Sequence, residues 1–226
     1  MNTKVIKIVL VIIMIISLIN LIIWSYENKQ TVEIITQTKK YIDDKNTTSN
    51  EKETLDPEIK AINDDIIGWL IVENTNINYP VVQASNNEYY LNHNLYKKYS
   101  SAGWIFMDSK NKSDDQNLII YGHRRNDGSM FGSLAKLIDN KKEGQIKLIT
   151  ENDTYYYDIF SIYKIEKEYN YRETNYIDFE DKKQEFKNRS INNYNVEINN
   201  KNQIITLSTC DKNNRYRVVV HGIINK

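Results

Sequence analysis

The chain has 226 residues with 30 basic and 30 acidic side chains, so its formal charge is zero and no block of like charge offers a surface for nucleic acid. Two prolines and seven glycines exclude a low-complexity stalk. The single cysteine, Cys210, excludes an intrachain disulfide, so an exported domain of this sequence must be stable by its core alone.

The run from Ile8 to Trp24 is apolar apart from Ser17 and Asn20. Seventeen residues at about 1.5 Å each just cross a hydrocarbon core as an upright helix. Lys4 and Lys7 precede the run, and the positive-inside rule puts the short N-terminus in the cytoplasm and everything after Trp24 outside the cell. A cleaved signal peptide is the competing reading, but Ser25-Tyr26-Glu27-Asn28 offers no small-x-small site. We therefore read residues 1–26 as a cytoplasmic N-terminus and an uncleaved signal anchor in the cell membrane. Residues 27–65 read as a helical spacer followed by short N-terminal helices. Asn46–Asn50 breaks the spacer, and Asp56-Pro57 is an N-cap followed by proline at the first helical position, opening a helix Pro57–Asp64.

From residue 66 to the end the pattern is β-rich and long enough for one domain with its own core. Strands are expected over Ile67–Val72, Ile77–Val82, Trp104–Met107, Asn117–Tyr121, Gln145–Thr150, Thr154–Ile165, Gln203–Cys210 and Arg217–Ile224. Helical turns are expected at Asn86–Leu91, Ser129–Ile138 and Phe179–Asn188. Eight short strands with few helices point to a mainly β fold, a closed or nearly closed and mostly antiparallel barrel.

Cys210 ends one of these strands, and Arg217 opens the next. A thiol facing a permanent cation suits a thiolate nucleophile with an oxyanion stabiliser; the plain alternative is a buried cysteine acting as a small apolar residue. Three histidines are available as acid or base. His123 follows Leu118–Tyr121 and Gly122 at a strand end, well placed to project into a cleft. His93 lies in a polar loop and reads as solvated. His221 shares a strand face with Arg217 and is the second choice. Arg215 and Arg217 are two apart, and one of them suffices.

These residues carry a resemblance. Thr206-Leu207-Ser208-Thr209-Cys210, the downstream Arg217–Gly222 run, the upstream Gly122-His123 and the N-terminal anchor together resemble the sortases, the membrane-anchored cysteine transpeptidases of Gram-positive bacteria. The helical extension before the barrel and the helix-bearing insertion around Phe179–Asn188 are similar to class B. The gap between Cys210 and the arginines is shorter than in many class B members; the valines after Arg217, then His221-Gly222, fit the family pattern best and favour Arg217.

The resemblance implies a closed eight-stranded sortase barrel and no metal or nucleotide cofactor. It implies that Cys210 attacks the threonine carbonyl of a C-terminal sorting signal in a secreted protein, that Arg217 steadies the oxyanion, and that His123 handles the proton. It further implies that the resulting thioester is passed to a peptidoglycan amine. Ser208, Thr209, Ser161 and Tyr163 are the expected substrate-lining residues, although the tyrosines of Ser161–Tyr176 fit ordinary amphipathic surface aromatics equally well. Two rival readings remain. One is an extracellular cysteine hydrolase without transfer, against which the order His123 before a strand-borne Cys210 argues. The other is a non-enzymatic, membrane-anchored surface protein.

Overall fold

A computed structural model describes residues 3–43, 53–140, 143–166, 169–210 and 216–225, with only the backbone described at 42, 43 and 210. The segments read as anchor and spacer form one helix, α1 (Thr3–Asp43). Its apolar residues from Ile8 to Trp24 are exposed, whereas Thr31, Ile34 and Thr38 are buried. Their i, i+3, i+7 spacing is one helix face, and Ile34 joins the barrel core. The break expected at 46–50 lies outside the described residues. α2 (Pro57–Lys60) is a single turn, shorter than expected, capped by the Asp56 carboxylate, which accepts from the Glu58 N–H at 2.8 Å.

Eight strands follow: β1 (Ile66–Val72), β2 (Asn78–Val82), β3 (Phe106–Met107), β4 (Asn117–His123), β5 (Gln145–Ile149), β6 (Thr154–Glu166), β7 (Ile204–Cys210) and β8 (Tyr216–Ile224). They close in the order β1-β2-β3-β4-β7-β8-β6-β5. The expected closed barrel is present. Its pairs are antiparallel except β2–β3 and β4–β7, which are parallel. The latter needs a long crossover, which β5, β6 and the insertion before β7 supply.

Alternation along the strands divides the core in two. Ile205, Leu207, Val218 and Val220 face the barrel interior with Leu70 and Ile120. Ile204, Val219 and Ile223 join a second cluster with Phe160, Tyr171 and Phe186. That cluster exists because the insertion lays α4 (Phe179–Arg189) over the sheet. Asp178 caps α4 by accepting from the Asp181 N–H at 3.1 Å, and acidic and basic residues occupy its first and last turns as the helix dipole favours. Phe179, Lys183 and Phe186 form its buried stripe. The buried Lys183 ammonium is met by Glu180 at 2.7 Å and by the carbonyls of Ile198 and Lys201 at 2.8 and 2.7 Å.

The helix expected over Ser129–Ile138 is corrected. Only Lys136–Asp139 (α3) is helical. Met130 and Gly128 have φ of +49° and +80°, and the Phe131 N–H bonds back to the His123 carbonyl at 3.1 Å. The apolar residues there plug the barrel from a chain of turns.

Candidate active site

The parallel β4–β7 ladder ends with His123 directly across from Cys210. On the other side, β7 pairs antiparallel with β8 through Ser208 and Val219, and the Val218 N–H donates to the Thr209 hydroxyl at 3.0 Å. Continuing that register by two residues along each strand brings Arg217 level with Cys210. Three strand ends thus gather the three residues singled out in the sequence. Arg217 is partly buried and pairs on its other edge with Ile165 of β6. Arg215 and the loop from Asp211 lie outside the described residues.

The imidazole of His123 is held by backbone. Its Nε2 lies 2.6 Å from the Leu91 carbonyl, which requires Nε2 to carry a hydrogen. Nδ1 is buried and has no hydrogen-bond partner among the described residues. Glycines make room for this arrangement. A Cβ at Gly122 would stand 2.8 Å from the Phe131 ring, and one at Gly103 would stand 2.9 Å from His123 Cδ2. Leu91 carries no side-chain signal for this role, because the bond is made by its backbone.

His221 occupies a different place. It is fully buried, stacked on Phe186 at 3.9 Å between centroids. Thr206 donates to Asn117 at 2.6 Å, so its hydroxyl oxygen accepts from His221 Nδ1 at 2.8 Å, and Nε2 accepts from the Tyr163 hydroxyl at 2.7 Å. Burial, reinforced by the positive charge of Lys182, pushes the His221 pKa down to about 3. His221 is a neutral core residue. His93, expected to be solvated, is half-buried and stacked on Tyr89 at 4.1 Å.

The same network corrects the substrate-lining expectation for Ser161 and Tyr163. Ser161 is buried and donates to the Phe186 carbonyl at 2.5 Å, and Tyr163 is buried against His221. Both lie under α4, because the insertion covers the sheet face they occupy. The Ser208 and Thr209 side chains are also buried; Ser208 Oγ lies 2.7 Å from the Tyr171 hydroxyl. Tyr171, which roofs Ser208, was visible in the sequence only as one member of a Tyr-rich segment.

The family model for the sortase domain matches residues 70–224. Sortase B of Listeria monocytogenes is 36% identical over 217 residues, covering 87% of this chain and 86% of that protein. The structure of a Staphylococcus aureus sortase B–substrate complex superposes with a TM-score of 0.79 at 30% identity, covering 88% of this chain and 98% of that one. A sortase B complexed with triglycine superposes at 0.76 with 29% identity, covering 89% and 99%. With the barrel, the insertion and the strand-end cysteine already in view, these matches place the chain in the sortase family as a class B cysteine transpeptidase.

Proposed function

We propose that Cys210, His123 and Arg217 are the catalytic group and that the enzyme cleaves a C-terminal sorting signal after threonine. The Cys210 sulfur attacks the threonine carbonyl, and Arg217 binds the oxyanion that develops. The proton lost by the thiol is carried by His123 Nδ1 to the leaving amine. An incoming amine of a cell-wall peptide then attacks the thioester, gives up a proton by the same route and releases the thiol. The observation that carries this reading is the strand register, which sets His123 beside Cys210 and, continued, Arg217 on its other side. The substrate complex and the triglycine complex of related sortases support a peptide donor and an amine acceptor.

We further infer a single membrane pass through residues 8–24, with the N-terminus cytoplasmic and the barrel outside. The exposed apolar face of α1 and the lysines before it support that reading. The test is to incubate the soluble domain with a panel of sorting-signal peptides, with and without triglycine, and to follow products by mass spectrometry. An acyl adduct on Cys210 and a triglycine-extended product are expected. Cleavage that persists in Cys210→Ala would overturn the assignment.

A further inference from the structure

The first turns of α1 beyond the apolar stretch are bonded to the two loops that hold His123. The Glu27 carboxylate accepts from the Ser101 N–H at 3.2 Å and from the Ser101 hydroxyl. Ser101 lies two residues before Gly103, which abuts the His123 ring. Arg125, two residues after His123, donates to the Asn28 side chain. Farther along α1, the Tyr96 hydroxyl donates to Gln37 at 3.2 Å. The loop from Tyr96 to Ser101 therefore runs along α1 toward its membrane end as the helix numbering falls from 37 to 27. Within that loop Tyr99 is 67% exposed, and on α1 Trp24 and Tyr26 are 55% and 63% exposed.

Distances along the helix fix the height. Glu27 is only three residues past Trp24, about 4.5 Å along the axis. The headgroup layer is about 5–8 Å deep on each side of a hydrocarbon core about 30 Å thick. The apolar stretch spans about 25 Å, so it is somewhat short for that core, and the mismatch draws its ends inward. Glu27, Asn28 and the loops bonded to them then sit at headgroup level. Exposed Arg124 and Lys98 lie on the same end, and tyrosine and lysine suit an anionic interface.

We propose that the His123 end of the barrel rests on the membrane surface, with Tyr99 making a second lipid contact beside Trp24 and Tyr26. The proposal rests on the membrane-anchor reading of α1. It places the catalytic mouth among the lipid headgroups, where it meets peptides presented from the same membrane.

The test uses full-length protein in vesicles of phosphatidylcholine and phosphatidylglycerol, with or without lipids brominated on the upper acyl chain. Wild-type Trp24 reports the anchor itself. In a Trp24→Phe background the remaining tryptophans, Trp69 and Trp104, are buried and give the baseline. Tyr99→Trp is expected to add emission that brominated lipid quenches. Asn152→Trp, in the β5–β6 turn at the opposite end of the barrel, is expected to add emission that it does not quench. Adding Glu27→Ala and Asn28→Ala to the Tyr99→Trp protein is expected to relieve the quenching. Quenching of Trp24 with none at Tyr99→Trp, or equal quenching at both added tryptophans, overturns the proposal and leaves the anchor standing. No quenching of Trp24 removes the anchor and the proposal together.

Discussion

His123 and Cys210 are the last partners of the parallel β4–β7 ladder, and their pairing is made by backbone. The arrangement therefore does not depend on the thiol. Cys210→Ala is expected to abolish cleavage while costing about 1 kcal/mol or less of stability. Peptide turnover measured beside thermal melting checks this. A folded alanine variant that still turns over would move the nucleophile elsewhere.

Gly103 abuts the His123 ring. It sits at φ +58°, and a Cβ there would meet the Tyr90 and Leu91 carbonyls at 2.6 and 2.8 Å as well as His123 Cδ2. Gly103→Ala is expected to cost about 1–2 kcal/mol from backbone strain alone. It should also lower kcat more than it raises KM, because it pushes on the ring that Leu91 holds. Unchanged kcat in a destabilised protein would show that the His123 position tolerates the shift.

The sequence made the strands legible because their turns are polar and their apolar runs short; the β5–β6 hairpin around 151–153 and the helix at 179 are the clearest cases. Cys210 and His123 end strands and Arg217 lies among the first, turn-side residues of one, and those strand-end positions are legible in the sequence. The segment after Ser129 departs from the expected helix because apolar residues plugging a barrel from turns can fall at helical spacing by chance. Ser161 and Tyr163 were misplaced for another reason. Alternation gives the face of a strand but not what covers it, and the cover here is an insertion more than fifteen residues downstream. The Glu27–Ser101 contact has no local sequence signal at all.

Arg217→Ala is expected to slow cleavage about 100- to 1,000-fold, the usual loss for one oxyanion donor. Arg215→Ala should cost well under tenfold. Arg217→Lys should also be poor, since a lysine lacks the planar fork that can hold an oxyanion and a peptide carbonyl together. Steady-state cleavage by each folded variant decides the matter. A crippled Arg215→Ala beside a near-normal Arg217→Ala would shift the oxyanion role to Arg215.

His221 should matter for stability and not for chemistry. His221→Ala removes two buried hydrogen bonds and the stack on Phe186, an expected loss of about 2–4 kcal/mol, with cleavage retained below its melting point. The residue also shapes the acid limb. Its folded pKa, about 3, lies below the unfolded value of about 6.5, so the unfolded chain binds the extra proton between them. Stability from this group is full above about pH 6.5 and declines as pH falls, by up to about 1.4 kcal/mol per unit. Carboxylates act at lower pH. Burial opposes ionisation of Asp127 and Glu185, yet hydrogen bonds from Arg125 and Ser129 to the first, and from Tyr169, Lys182 and Arg189 to the second, bring both to about 2. Denaturant titrations between pH 7 and 4.5 should therefore show a slope in the wild type that His221→Ala lacks. Equal slopes would mean His221 is not neutral in the fold.

The last prediction concerns where the soluble domain should begin. Removing residues 1–26 deletes the apolar stretch but keeps Glu27 and Asn28, and with them the bonds to Ser101 and Arg125. Removing residues 1–30 loses both contacts while keeping the buried Thr31, Ile34 and Thr38. Both truncations should be soluble. The shorter protein should be less stable by about 1.5–3 kcal/mol, the range for a hydrogen bond to a charged group. It should also cleave peptides more slowly, because Ser101 and Arg125, in the loops near His123, are no longer bonded to α1. Ser101→Ala in the longer protein should reproduce part of that loss. Melting temperatures and kcat for the three proteins provide the measurement. If the two truncations match in both, the helix end contributes nothing to the site.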